Sequence, residues 1–135
     1  MDFEYYEELA RTQGTFIKGD KKFDLGQGQL PEGLVFVDGA ARIDGNLTGT
    51  NSRSLKTTLV STGRIRISGS MQLAPASDDL LLIAKDNIEI AGSNNLTGAI
   101  YSRNESITLK GNNNCQGTII AKSGISITGG STINH

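Results

Sequence analysis

At 135 residues, with 17 glycines and only 5% aromatic residues, the chain fits one domain that depends on tight corners more than on large core fillers. Its net charge of -1 and pI near 5.8 argue against nucleic acid as a main partner, because phosphate binding draws on a basic surface. It has no run of 18 apolar residues and no secretory leader at its start, so no direct membrane insertion is expected, and a single cysteine forms no internal disulfide.

The first element in chain order is a helix predicted over Asp2 to Arg11, with an acidic start and a basic end that suit the helix dipole. Phe3, Tyr6 and Ala10 share one side, Tyr5 and Leu9 adjoin it, and Gly14 ends it. Thr15 to Lys18 and Lys22 to Leu25 read as short strands around the turn Gly19-Asp20. Gly26 with Leu30 four residues later echoes the pattern that follows, so Thr15 to Gly33 reads as a degenerate first coil, with Pro31 in a loop. Residues 1–33 are thus expected to form a helix and capping coil, and 34–135 the repeats of the same structural domain.

The repeats are plainest at the end of the chain. LLLIAKDNIEIAGSNNLTG, IYSRNESITLKGNNNCQG and TIIAKSGISITGGSTINH each carry an apolar run, a polar turn, an apolar-x-apolar triplet, a glycine, and an apolar residue four beyond it. Gly92, Gly111 and Gly129 are 19 and 18 residues apart, a period too short for a helical repeat and suited to one coil of a β-solenoid. Ile88/Ile90, Ile107/Leu109 and Ile125/Ile127, with the followers Leu96, Cys115 and Ile133, should form inner columns stacked about 4.8 Å apart. Extending the ruler backwards gives Ile65/Ile67 with Gly69 and Leu73, then Ala41/Ile43 with Gly45 and Leu47. The surplus residues of these longer coils fall at TNSRSLK and PASDD, which read as loops. The predicted fold is all-β: a single-stranded right-handed β-helix of about five to six coils with a short N-terminal helix packed on its side, the hand following the usual parallel crossover.

Alternation places Val35, Leu59, Leu82, Ile100 and Ile119 inside and leaves Phe36, Val60, Ile83, Tyr101 and Ile120 outward. Five stacked apolar residues form a stripe that a soluble monomer would cover. Either the N-terminal helix lies across it or another subunit docks there. The helix and first coil can cap one solenoid end, whereas the last coil presents an open edge for a partner or for further chain.

No catalytic, cofactor or metal site is expected. The outward triplet residues Arg42, Arg66, Glu89, Thr108 and Ser126 bring Arg66 beside Glu89, a surface ion pair. Asp78 with Asp79 and Asp38 with Asp44 are the nearest carboxylate pairs to a glycosidase arrangement, and the first reads better as a solvated corner. The lone histidine is His135, Cys115 reads as a core filler, and asparagines such as Asn46, Asn94, Asn95, Asn112, Asn113 and Asn114 are assigned to corners that need a left-handed backbone. Asn46, Asn95 and Asn104 open glycosylation-type triplets of the kind an Asn- and Thr-rich repeat produces by chance.

The segment GLVFVDGAARIDGNLTG, the repeats LIAKDNIEIAG and GTIIAKSGISITG, and the preceding YYEELA helix resemble the C-terminal β-solenoid domain of PilX-like proteins of type IV pilus assembly. That resemblance implies a non-enzymatic, exported or cell-surface domain that adheres, caps or spaces, and whose partners are other protein subunits. The chain is also similar to bactofilins, which would imply a cytoplasmic scaffold that self-associates through its coil ends. A carbohydrate-binding or polysaccharide-degrading β-helix is a third reading, carried by the loops at 50–57 and 74–80.

Overall fold

A computed structural model of the protein describes residues 3–27, 29–46 and 55–134. Helix α1 (Phe3–Gln13) leads into β1 (Thr15–Lys18), β2 (Lys21–Asp24) and a 3-10 turn at Leu25–Gln27. There follow β3 (Gly33–Asp38), β4 (Ala41–Asn46), β5 (Leu55–Ser61), β6 (Ile65–Ser70), β7 (Gln72–Ala74), β8 (Leu80–Ala84), β9 (Ile88–Gly92) and β10 (Asn95–Thr97). The last two coils hold β11 (Ala99–Ser102), β12 (Ile107–Gly111), β13 (Asn114–Gln116), β14 (Ile119–Ala121), β15 (Ile125–Ile127) and β16 (Thr132–Asn134).

Every ladder between these strands is parallel, and the ladders form three faces. One face runs β1-β3-β5-β8-β11-β14, a second β2-β4-β6-β9-β12-β15, and a third starts at the front of β5 and continues β7-β10-β13-β16. Six strands on the second face mean six coils of a β-solenoid. On it Ile43, Ile67, Ile90 and Leu109 stack in register and are all 0% exposed, as are Ile65, Ile88 and Ile107 beside them. Each such residue contributes roughly 1.5–3 kcal/mol through burial.

The register corrects one inner column. Leu73 pairs back to Leu55, so Leu55 holds the place that glycine spacing assigned to Leu47, which lies outside the described residues together with 50–54 of the expected loop. Leu55 and Lys56, also expected in that loop, belong to β5. The inserted residues precede the column position, which a fixed count from Gly45 cannot show. The other loop is found at Pro75–Asp79 between β7 and β8, and Asp78 and Asp79 are its left-handed residues, with φ of 53° and 58°.

The corners correct the reading of the asparagines. Among the described residues, only Asp78 and Asp79 combine a side chain with positive φ; the left-handed corner places belong to glycines. Asn94 and Asn113 point inward, at 2% and 1% exposure, in the column begun by Met71. The Asn94 side-chain amide donates to Asn113 Oδ1 at 2.7 Å and to the Ala91 carbonyl at 3.0 Å, while its own oxygen accepts from the Met71 N–H. Asn113 in turn donates to the Lys110 carbonyl at 2.8 Å and to Ser131 Oγ at 3.2 Å. A buried amide is tolerated when its bonds are made, and this ladder ties four coils together along one corner.

Candidate functional site

The apolar stripe is a column of the first face. Phe16, Phe36, Val60, Ile83, Tyr101 and Ile120 are successive register partners. Phe16 is a sixth member missed in the sequence, because the first coil lacks the glycine-closed triplet that sets the ruler. Helix α1 lies across this column: Phe3, Tyr6 and Ala10 form one buried cluster with Leu34, Phe36, Val60 and Ile83. The helix runs back along the tube. Phe3 sits near the Lys85 and Arg103 side chains, whereas Arg11 stands 3.7 Å over the Phe16 ring, which stacks on Phe36.

Tyr6 fastens the helix by donating to Asp78 Oδ2 at 3.2 Å, and burial, then the bond to that carboxylate, raises its pKa. Asp78 therefore anchors the helix in addition to shaping its corner. An 11-residue helix spans about 16 Å, whereas six coils at about 4.8 Å spread the column over about 24 Å. Cover is accordingly partial. Phe36, Val60 and Ile83 are 0–1% exposed, Tyr101 is half-buried, and Ile120 is 51% exposed. The outward direction expected for all five holds relative to the tube, but three of them offer no free surface.

Ile120 lies in a coil with other exposed apolar side chains. Ile125 and Ile127 occupy the columns of Ile107 and Leu109, yet they are 41% and 46% exposed, since among the described residues β15 is paired on one side only. In β14, β15 and β16 there is no charged residue, and Lys122 is the one charge in 119–134. The first coil is built differently. Its inner residues Phe23, Leu25 and Leu30 are buried, Lys21 Nζ lies 6.0 Å from the Phe23 ring centroid, and Lys18, Lys21 and Lys22 stand on its strands. Lysines on a terminal strand discourage further pairing, and the last coil lacks that protection. The described tube thus has one guarded end and one open end.

The other singled-out residues are surface or core features. Glu89 faces Arg66 in register, but its ion pair is with Lys110 at 3.0 Å; that bond holds the carboxyl below its ordinary pKa against slight desolvation. Asp44 lies 2.8 Å from Arg42 and 3.4 Å from Lys22, and Asp38 accepts from the Thr62 hydroxyl. The two are engaged separately. Cys115 is buried, which pushes its thiol up to about 11 and keeps it protonated. Among the described residues, no group of three or more His, Cys, Asp or Glu side chains gathers to hold a metal, and no helix is long and apolar enough to cross a membrane. His135 lies outside them.

The model of one protein family, described as a domain of unknown function, DUF7305, matches residues 11–135. The chain belongs to that family. No curated protein and no solved structure matches it. The DUF7305 match starts within α1 and takes in all six described coils.

Proposed function

We propose that this DUF7305 domain is a non-enzymatic structural module of a pilus-associated or other cell-surface assembly, and that two copies meet through their last coils. The observation carrying this reading is the exposure of Ile125 and Ile127 in inner columns of the last described coil, on strands free of charge. Covering each would contribute roughly 1–2 kcal/mol at their partial exposure, and strand pairing across a twofold would satisfy the free edges of β14, β15 and β16. A near-neutral end can face its own copy without repulsion, and a twofold contact is the commonest way for identical chains to close. An end-to-end scaffold polymer needs two joining ends, and the lysine-bearing first coil disfavours the second. The pilus-type resemblance fits a rigid spacer with one joining end better.

Size-exclusion chromatography with light scattering over a range of concentrations tests this. The parent chain is expected to pass from monomer to dimer as concentration rises, and I125K/I127K to stay monomeric at the same concentrations. A parent that stays monomeric, a variant that still dimerises, or a filament of unlimited length would each contradict the reading.

A further inference from the structure

The second face carries a basic groove at its guarded end. It encloses about 330 Å3 and is lined by Lys21, Lys22, Arg42, Arg64 and Arg66, with Asp20 on its wall and Ala40 and Ala41 on its floor. Its shape is fixed by the backbone. Ala41 N–H donates to the Arg64 carbonyl at 2.9 Å, Lys21 N–H to the Ala40 carbonyl at 2.9 Å, and Asp20 Oδ1 accepts from Ala40 N–H at 2.9 Å.

Lys22, Arg42 and Arg66 are direct register partners, so three cations stand in a row along the tube about 4.8 Å apart. Like charges facing each other across strands destabilise a sheet. Asp44 relieves Lys22 and Arg42, whereas Arg64 and Arg66 make no ion pair among the described residues and reach Glu89 only at longer range. On a chain of net charge -1, five cations gathered at one groove, two of them without an ion pair among the described residues, make a local surface that attracts anions.

We infer that this groove binds an acidic polysaccharide lying along the row of Lys22, Arg42 and Arg66, with Arg66 and the neighbouring Arg64 holding its carboxylates. Guanidinium groups pair with carboxylates bidentately, and a straight row of cations suits an extended chain with regularly repeated negative groups. Asp20 in the lining can accept from sugar hydroxyls, groups that a polyphosphate chain lacks. The groove holds no aromatic side chain on which nucleobases could stack, and no apolar pocket to anchor a peptide. The site is independent of the last coil, which lies at the other end of the tube.

Fluorescence anisotropy with a labelled oligogalacturonate tests the inference, with neutral dextran and oligoglutamate of similar length as comparisons. The expected result is saturable uronate binding that weakens with salt, falls about tenfold or more in R64A/R66A, and is not matched by dextran or oligoglutamate. Both arginines are exposed, so the thermal melt of R64A/R66A should match the parent. R64K/R66K, which keeps the charge, should bind between the parent and R64A/R66A. Absence of saturable uronate binding, full binding by R64A/R66A, or oligoglutamate binding as tight as uronate would overturn the assignment.

Discussion

Replacing Ile107 by aspartate is expected to abolish the cooperative thermal transition seen by circular dichroism. Ile107 is 0% exposed and stacked between Ile88 and Ile125 on the second face. Losing the side chain alone costs about 2–5 kcal/mol. An unpaired carboxylate among isoleucines adds several more, or forces the group to take up a proton at similar cost. The sum approaches the whole stability of a domain this size, about 5–15 kcal/mol. A melt of I107D that matched the parent would mean the columns are misassigned.

Gly92→Ala is expected to destabilise by about 4 kcal/mol, and Gly124→Ala by only about 1–3 kcal/mol, as read from urea unfolding midpoints. Both glycines have nearly the same backbone, with φ of 104° and 106°, so both variants carry the strain of a left-handed alanine. The surroundings differ. A Cβ on Gly92 would run into the carbonyl oxygen of Gly69 in the preceding coil, whereas one on Gly124 meets nothing within 4 Å. The difference between the two variants therefore measures how tightly the coils stack at the glycine corner. Equal losses would show that the backbone conformation alone, and not the stacking, demands glycine there.

The same comparison shows why the solenoid was legible in the sequence. A triplet closed by glycine combines a period of two with a corner that only glycine can make, and this reads out Ile88/Ile90, Ile107/Leu109 and Ile65/Ile67 without any knowledge of contacts. Leu55 was hidden because an insertion before a column shifts every count from the preceding glycine. Asn94 and Asn113 were misread because composition cannot separate an asparagine that bends the backbone from one that bonds inward. Their place, two residues after a corner glycine and level with buried Met71, is the signal that could have found them.

The interaction surfaces were less legible than the fold. Stripe length follows from the repeat, but which of its residues the helix covers depends on the helix's reach, so Ile83 and Ile120 look alike in sequence and differ by 0% against 51% in exposure. The basic groove draws on three corner-and-strand segments, 20–22, 40–42 and 64–66. Only the register shows that Lys22, Arg42 and Arg66 stand in one row.

The central proposal is that two copies join through the last described coil. Hydrogen–deuterium exchange on the parent chain, at concentrations below and above its association midpoint, tests it most directly. The account predicts that amides in 119–134 slow as the chains associate, while those of 3–13, 20–27 and 55–66 keep their rates. Association that protects the helix or the second face and leaves 119–134 exchanging freely would contradict it.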